Sequence, residues 1–504
     1  IYEEIEVEAT AAADVEDLTK QMDFSTTNLQ TEGVDEADLV KTNGKYLYIA
    51  DGEYLKIIEL QNTTMRKVCE IRLSDNLTEH AIEMYIAENR VYIITERTQI
   101  STERKDYEYT INNGVEVALY TYEIFDSNSP DQIGCVTVEG QYRTSRKVGQ
   151  YIYLFTDKNL RGIKKGDKEE IIPYVDGYKM PFDCIYYENT PDSEMIIASV
   201  DINNPDDVFD NVMVMSSNSQ IYVGNDGFYL YRHSYETEEV TTEITKFTYF
   251  DGYISGCASN SLPGTIQDTF AISEKDGILR VLTTRWSSNH RDNSLYILNE
   301  KMKPLGDIQK IAPDEMIYAA RYIGDKAYFI TFRNTDPLFI ADLSDPFEPK
   351  IIGEVEITGF SDYLHMYDED HLLGIGYEYD EDGFREEGGK LVMFDITDAE
   401  NPVVEAAEVI PEIYEIISCQ EYKQIIVDKD KELITFVDQE GVYYVYGYND
   451  GKFMQRLAYD TNENYYCYYI RGVYVEDFFY IIDSCQITSF DMTHDFEKGS
   501  VIEY

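Results

Sequence analysis

The feature that most constrains the fold is a turn, led by aspartate or a related residue, that returns at regular intervals. In FIADLSDPFEPKIIGEVEI (339–357), and again in VMFDITDAENPVVEAAEVI (392–410), an apolar run ends in such a turn and a second apolar run follows. An Asp at the first turn position accepts hydrogen bonds from backbone amides two and three residues further on. We therefore interpret these turns as structural and not catalytic. Their nine lead residues are Glu59, Asp126, Asp201, Thr248, Asn299, Asp342, Asp395, Gly447 and Asp491.

A second type of turn alternates strictly with the first. It is a tight hairpin with Gly, Asn or Asp at its tip, between short runs of alternating β-branched and aromatic residues. The nine hairpins lie at 42–50, 87–95, 147–155, 224–232, 274–282, 323–331, 368–376, 428–436 and 475–483. Each repeat, about 54 residues long on average, thus contains two hairpins and four short strands, which we label A to D.

Repeats of this size, in series and with almost no helical periodicity, predict an all-β chain. The predicted fold is a single large β-propeller of four-stranded blades over residues 25–504. Nine repeats are counted, and eight blades is the alternative if the first and last repeats merge where the ring closes. Closure is required because an open ring would expose unpaired edges and apolar faces. Residues 1–24 lack the pattern, are acidic and Ala-rich, and are expected to form a linker.

In a propeller, strand A lines the central channel. The A–B and C–D turns share one side of the ring, the turn face, and the B–C and D–A links share the other, the link face. The B–C links of repeats 2 and 3 carry insertions around 97–115 and 158–193, and smaller insertions lie at 286–293 and 377–389. Because loops on one face of a rigid scaffold usually carry function, we expect a ligand to meet the link face.

These insertions contain aromatic residues that the strands do not need. Trp and Tyr supply large contact areas at low entropic cost and dominate the energetics of interfaces. We predict a ligand-binding surface near Trp286, the single Trp of the chain; the alternative is that Trp286 packs beneath its own loop. The full candidate set is Tyr107, Tyr109, Tyr174, Tyr178, Phe182, Trp286, Tyr377 and Phe384.

Several polar residues fall at or near strand A and should face the channel. They could form a charged channel mouth that holds an anionic or polar ligand. The alternative, which we favour, is that they satisfy backbone carbonyls and one another. The channel set is Arg146, Glu274, Arg321, His365 and Lys423.

The loop YDEDGFREE (379–387) is the best candidate for a metal site. Carboxylate oxygens around a Gly turn can hold Ca²⁺, and Asp380, Asp382 and Glu386 are the candidate ligands. An exposed acidic loop is the alternative, because the spacing of an EF-hand is missing. Neither a nucleophile elbow, a P-loop nor a zinc-protease motif occurs in the sequence, so no catalytic residue and no other cofactor is predicted.

The charge of the chain restricts its partners. Its net charge of −54 comes from 96 acidic and 42 basic residues, and such a surface repels nucleic acid and anionic lipid. No stretch is long and apolar enough to span a bilayer, and we expect a monomer. The seven cysteines are widely spaced without a Cys-x-x-Cys pair; most are expected to be small buried residues, with one or two disulfides left open. The 45 tyrosines are attributed mainly to half-buried strands.

Long stretches of the sequence resemble a known family. The matching motifs are FSTTNLQTEGVDEADLVKTNGKYLYIA (24–50), SRKVG (145–149), DGILRVLTT (276–284), RYIGDKAYFITFRNTDPLFIADLSDP (321–346) and GFSDYLHMYDEDHLLGIG (359–376). They are similar to bacterial and archaeal secreted proteins with a C-terminal β-propeller domain, distantly related to WD-repeat propellers. Beyond residue 400 the match thins, and QEYKQIIVD (420–428) replaces a stretch in which the family tends to have a histidine.

The resemblance implies a secreted or surface-anchored propeller without assigned catalytic residues. It also implies that residues 1–24 are a tether, with an export signal or anchor expected ahead of Ile1. Two functions follow as hypotheses. The first is a non-enzymatic binding module for a protein, peptide or glycan outside the cell. The second is a polysaccharide hydrolase or lyase with a pair of carboxylates at the channel mouth.

Overall fold

The structure, a computed structural model, describes most of the chain from residue 22 to residue 503. The gaps are 75–77, 106–107, 125–129, 161–170, 188–192, 217–218, 237–238, 288–289, 333–335, 380–385 and 462–468. The described residues form nine sheets, one for each repeat; seven have four strands, and the sheets of blades 2 and 3 have six because two short strands add to each four-stranded blade. The protein is therefore an all-β propeller of nine blades, and the eight-blade alternative is wrong.

The first three blades include the two that are enlarged. The short strand β1 (Val34–Asp35) precedes blade 1, which contains β2 (Val40–Thr42), β3 (Tyr46–Asp51), β4 (Tyr54–Gln61) and β5 (Thr64–Arg72). Blade 2 contains β6 (Glu79–Ala87), β7 (Arg90–Lys105), β8 (Glu108–Glu123) and β9 (Asp131–Glu139). Blade 3 begins with β10 (Gln141–Val148) and β11 (Tyr151–Asn159), continues through a link with β12 (Tyr174–Val175), β13 (Tyr178–Lys179) and β14 (Ile185–Tyr187), and ends with β15 (Ser193–Asp201) and β16 (Asp210–Ser216).

The next three blades are regular. Blade 4 contains β17 (Gln220–Val223), β18 (Gly227–Ser234), β19 (Thr241–Phe250) and β20 (Tyr253–Pro263). Blade 5 contains β21 (Ile272–Lys275), β22 (Ile278–Ser287), β23 (His290–Leu298) and β24 (Pro304–Ile311). Blade 6 contains β25 (Met316–Ile323), β26 (Lys326–Phe332), β27 (Asp336–Asp342) and β28 (Lys350–Ile357).

The last three blades complete the ring. Blade 7 contains β29 (Phe360–Met366), β30 (His371–Tyr379), β31 (Glu386–Asp395) and β32 (Val403–Pro411). Blade 8 contains β33 (Val427–Asp428), β34 (Leu433–Val437), β35 (Val442–Asn449) and β36 (Lys452–Asp460). Blade 9 contains β37 (Ile470–Val475), β38 (Phe478–Asp483), β39 (Gln486–Asp491) and β40 (Glu497–Glu503). The helical elements described are short 3-10 turns at Phe182–Cys184, Thr269–Ala271, Ile417–Cys419, Tyr422–Gln424 and Met492–His494.

The aspartate-led turns are structural, as the sequence indicates. Asp201, Asp342, Asp395 and Asp491 each accept a hydrogen bond through Oδ1 from the backbone amide two residues further on, at 2.9–3.0 Å. Hydrogen bonds from the side chains and backbone amides of Ser344, Thr397 and Thr493 favour the ionised carboxylates and lower the pKa of Asp342, Asp395 and Asp491 below its ordinary value. The turns therefore fix the path of the chain at the outer part of each blade.

The ring closes by packing blade 1 against blade 9, without exchange of a strand. Apolar residues of the two blades form one buried cluster, which includes Leu47, Ile58, Val473 and Ile482. The hydroxyl of Tyr480 in blade 9 also donates to the carbonyl of Asn62 in blade 1 at 2.6 Å. Closure thus covers the apolar faces that the terminal blades would otherwise expose.

The link of repeat 3 does not stay on the link face. Its hairpin β12–β13 adds to β9 of blade 2, and β14 pairs in parallel with β16 of blade 3. The insertion therefore runs along the outer edges of two blades and covers both. The insertion of repeat 2, in contrast, continues the hairpin of β7 and β8, which stay paired from Arg90↔Glu123 to Lys105↔Glu108.

One buried carboxyl group in blade 3 forms no ion pair among the described residues. Neither carboxylate oxygen of Glu194 has a hydrogen-bond partner within the described part of the chain, and the residue is fully buried. Lys158, which lies opposite in β11, forms an ion pair with Glu139 at 3.0 Å. Burial therefore raises the pKa of Glu194 to about 8.

We expect Glu194→Gln to flatten the pH dependence of stability between about pH 5 and 8. The pKa of Glu194 is raised by folding, so the folded state retains a proton that the unfolded state releases. By linkage, this contribution is complete below the unfolded pKa and is lost as the pH rises through about 8. Urea midpoints at pH 5, 7 and 9 measure the slope, and Glu70→Gln, at a surface carboxylate, is the control. Equal slopes for the wild type and Glu194→Gln would contradict this assignment.

Candidate functional site

The central channel is occupied by the chain's own N-terminal segment, residues 23–38, which we call the channel segment. Its sequence, DFSTTNLQTEGVDEAD, contains few large apolar residues and cannot form a core of its own. Its backbone polar groups therefore need partners elsewhere, and the inner strands of the ring provide them. The segment enters next to blade 9, where Phe24 pairs with Val475 and the Ser25 amide donates to the Tyr474 carbonyl at 3.0 Å.

From there the channel segment passes the blades and contacts each of the nine. The bonds are hydrogen bonds, ion pairs or strand pairs, so each blade fixes one or two residues of the segment. The pairs, from blade 9 to blade 1, are Phe24 with Val475, Asp23 with Lys431, Asn28 with Tyr363, Leu29 with Arg321, Gln30 with Thr269 just ahead of blade 5, Thr31 with Tyr222, Val34 with Val148, Asp38 with Met84, and Glu36 with Lys41.

Glu36 is the buried centre of these contacts, with 1% of its surface exposed. Its Oε1 accepts from the amide of Gln30 at 3.0 Å, and its Oε2 accepts from the hydroxyl of Tyr422 at 2.6 Å. The guanidinium of Arg146 lies 3.7 Å from Oε2. Burial alone would lower the pKa of Arg146, but the charge of Glu36 raises it above its usual value. Glu36 thus joins blades 3 and 8 to the channel segment.

A second ion pair holds the end of the channel segment. Arg471 of blade 9 donates through Nε to Asp38 at 2.9 Å. Lys423 donates to the carbonyl of Ala37 at 2.7 Å and to Glu83 of blade 2 at 2.5 Å. Blade 9 is therefore bonded to Asp38, and Lys423 connects blade 2 to the adjacent Ala37.

The five channel residues singled out in the sequence all lie on inner strands or the turn that precedes one. Arg146, Arg321 and Lys423 contact the channel segment, as described above. Glu274 instead faces blade 4, where its carboxylate binds Lys246 at 2.9 Å and the hydroxyl of Tyr229 at 2.6 Å. His365 bonds the hydroxyl of Tyr363 at 3.0 Å. Burial and the positive charge of Arg321 lower the pKa of His365 to about 3, so it is neutral at physiological pH.

Three cavities open beside the channel segment on the turn face. Their volumes are about 460, 320 and 500 Å³. The first is bordered by Lys41, Asp38 and Arg471, the second by Arg280 and Arg321, and the third by Arg321 and His365. The space that the sequence assigned to an open channel mouth is therefore divided among three smaller sites.

On the link face, Trp286 lies at the end of the β22–β23 hairpin and is 40% exposed. Arg291, its cross-strand partner, places its guanidinium 3.8 Å from the centre of the indole ring. One ring face is thus covered by a cation, while much of the remainder is accessible. Trp286 neither packs fully beneath its loop nor stands free.

A second aromatic patch lies on the insertion of repeat 3. Tyr178 is 78% and Phe182 69% exposed, and Tyr174 is also exposed. The ammonium of Lys179 lies 5.5 Å from the Tyr174 ring centre. Because this patch adds to blade 2 and Trp286 belongs to blade 5, the aromatic residues form two separate surfaces and not one.

Of the remaining candidate binding residues, the structure corrects one and does not test the others. Tyr377 is wrong as a surface contact: it is 6% exposed, and its hydroxyl accepts from the amide of Ile416 at 2.7 Å. It belongs to β30, which is buried throughout from residue 372 to residue 378. The other candidates lie outside the described residues (Tyr107, Phe384, Asp380, Asp382) or are described by their backbone alone (Tyr109, Glu386). The Ca²⁺ site thus stays a prediction, and no other described residues group as three or more potential metal ligands.

The cysteines and the search for membrane-spanning helices identify no further feature of the site. Cys69, Cys135, Cys184, Cys419 and Cys485 are unpaired and partly buried. Across the described ranges, no helix has the length and apolar character needed to cross a bilayer.

The fold and the occupied channel define the class of this protein as a nine-bladed β-propeller. The family model named Beta propeller domain matches residues 24–494, so the chain belongs to that family. The chain is 28% identical over 560 residues to an uncharacterized protein of Archaeoglobus fulgidus, with 96% of this chain and 85% of that protein covered. It is 26% identical over 464 residues to an uncharacterized protein of Methanocaldococcus jannaschii, with coverage of 79% and 72%.

Among solved structures, the crystal structure of Citrobacter koseri AztD is similar to this fold, and the alignment covers 77% of this chain and 91% of the AztD chain. The TM-score is 0.38 and the sequence identity is 9%.

Glu36→Ala is expected to destabilise the protein by about 3–5 kcal/mol, because it leaves the largely buried guanidinium of Arg146 without its counter-charge. Thermal or urea unfolding measures the loss, and hydrogen exchange of residues 22–38 should rise with it. Glu32→Ala is the matched control, since Glu32 lies on the same segment but is exposed and should change stability little. Equal stability of the two variants would show that the Glu36 contacts do not hold the segment.

Proposed function

We propose that this protein is a non-enzymatic binding module that recognises a protein, peptide or glycan through the exposed aromatic residues of its insertions. The observation that carries the proposal is the exposure of Tyr174, Tyr178 and Phe182 on one short insertion. Large apolar rings are rarely left together in water without a partner, and aromatic side chains dominate binding energies at interfaces. Trp286, with Arg291 against one face of its ring, is a second contact point of the same kind.

The occupancy of the channel argues against the hydrolase alternative. Glycoside cleavage requires two carboxyl groups flanking an open space for the sugar and, in many enzymes, a water. In this protein the channel carboxylates are already engaged: Glu36 with Arg146, Asp38 with Arg471, Glu83 with Lys423, and Glu274 with Lys246. These groups neutralise buried cations and hold the channel segment, which supports binding over catalysis.

The place of action is part of the same proposal. We propose that the protein works outside the cytoplasm, secreted or held at the cell surface, and as a monomer. The support is the resemblance of its motifs to secreted propeller proteins. Protease treatment of intact native cells, followed by immunodetection of the chain, tests this location. Protection of the chain until the cells are lysed would contradict it.

Trp286→Ala and the double variant Tyr178→Ala/Phe182→Ala should each weaken binding about tenfold or more, with little change in melting temperature. Glycan and peptide arrays identify the probe, and calorimetry with the best array hit measures the affinity. Phe250→Ala, at an exposed aromatic residue on the turn face, is the matched control. A lowered melting temperature with unchanged affinity would show that these rings are structural. Release of reducing ends from the same glycans would favour the hydrolase.

A further inference from the structure

One buried cation beside the channel has no acidic partner. The structure buries six Lys or Arg residues, and five of them form ion pairs with carboxylates at 2.5–3.4 Å. The exception, in the part of the chain that is described, is Arg280 of blade 5, which is 6% exposed. The six residues are Lys41, Lys56, Lys246, Arg280, Lys390 and Arg471.

Arg280 is held in place, but by neutral groups. It donates through Nη1 to the carbonyl of Gly324 at 2.7 Å and through Nη2 to the hydroxyl of Ser273 at 2.6 Å. Its guanidinium lies 5.0 Å from the ring centre of Tyr322, and its Nε has no partner among the described residues. Burial lowers the pKa of Arg280, as expected for a charge removed from water without a compensating carboxylate.

A second guanidinium borders the same cavity. Arg321 of blade 6 donates through Nη2 to the carbonyl of Leu29 at 3.3 Å and lies over the ring of Phe270 at 5.1 Å. Its Nη1 is buried and without a partner within the described ranges, and it makes no ion pair there either. Arg280 and Arg321 both line the cavity of about 320 Å³ on the turn face.

The acidic groups that face this cavity are engaged elsewhere or lie at its rim. Glu274 is paired with Lys246 at 2.9 Å and accepts from Tyr229. Lys275, a third cation of the lining, pairs with Asp325 at 2.5 Å, and both are well exposed to solvent. Glu32 is exposed at the edge. The inner part of the cavity therefore keeps two positive charges, in a chain whose net charge is −54.

A buried charge without a partner is costly, and natural proteins pair such charges or bind a ligand to them. The guanidinium group presents a planar fork of N–H donors that fits the oxygens of a carboxylate or a phosphate. We propose that this cavity binds a small organic anion whose carboxylate or phosphate group lies between Arg280 and Arg321. The volume lies at the lower end of small-molecule sites, so the ligand is a metabolite-sized molecule and not a polymer.

The neutral lining fits such a ligand. The hydroxyl of Tyr222, which accepts from the Glu274 amide at 3.0 Å, and the side chains of Gln30 and Thr31 border the same space. They offer hydrogen bonds to the rest of the ligand. This site lies on the turn face, apart from the exposed aromatic residues of the insertions, and it does not depend on the proposed macromolecular binding.

The test is calorimetric titration of the intact protein with inorganic phosphate and, separately, with citrate. We expect saturable binding of at least one probe that persists in 0.5 M NaCl, because a buried ion pair is screened less than a surface pair. Arg280→Gln and Arg321→Gln should each lower the affinity at least tenfold. Preference for citrate or for phosphate distinguishes a carboxylate ligand from a phosphorylated one.

Arg456→Gln is the matched control. Arg456 is a partly buried guanidinium bonded to the carbonyls of Lys431 and Met492, and it lines none of the three cavities. Its substitution should leave the affinity unchanged. Each substitution can change the melting temperature of the free protein, so that value alone does not report on the site. The affinities are therefore compared together with the rise in melting temperature that the anion causes in each folded variant.

Two results would overturn the proposal. The first is no saturable binding of either probe to the wild type. The second is an equal loss of affinity in Arg280→Gln, Arg321→Gln and Arg456→Gln, which would indicate a non-specific charge effect.

Discussion

The structure depends on how the centre of a ring of nine blades is filled. Nine blades placed side by side leave a central space that the inner strands alone do not close, and their polar groups face it. The chain solves this with residues 23–38, which bond to each blade in turn, and with Glu36, whose carboxylate is shared by Gln30, Tyr422 and Arg146. Because the channel segment contacts both blade 1 and blade 9, the same residues that fill the space also connect the two ends of the repeat.

Tyrosine gives the blades a second means of connection. A face between two blades must be apolar enough to pack, yet each blade carries polar groups near the channel that need partners. Tyr85 of blade 2 is fully buried and bonds Ser145 of blade 3 at 2.8 Å, and Tyr480 does the same from blade 9 to blade 1. The aromatic ring of each tyrosine packs in the apolar interface, while its hydroxyl bonds to the next blade. Tyrosine thus contributes both to the apolar packing and to the polar contacts between these blades.

The sequence predicted the fold well because the relevant signals are local. Turn residues and the two-residue period of strands depend on near neighbours, so the nine repeats and the positions of the insertions could be read directly. Contacts between distant segments could not. Nothing in the sequence near residues 25–38 indicates that they fill a channel. The one available signal is the run TEGVDEADLV, which places the acidic residues Glu36 and Asp38 directly ahead of the first strand of blade 1. The prediction of Tyr377 as a surface contact was wrong for a related reason. The point at which β30 leaves the core depends on packing against other strands and not on the sequence of β30 itself.

The entry of the chain into the ring has a mechanical consequence. Phe24 lies beside Gly44, at the tip of a turn in blade 1, so the channel segment begins at the turn face, away from Trp286 and the long hairpin of blade 2. A pulling force applied at this end would act on the channel segment, at the axis of the ring. The load would be divided among bonds to nine blades, and no single outer strand would be peeled away first.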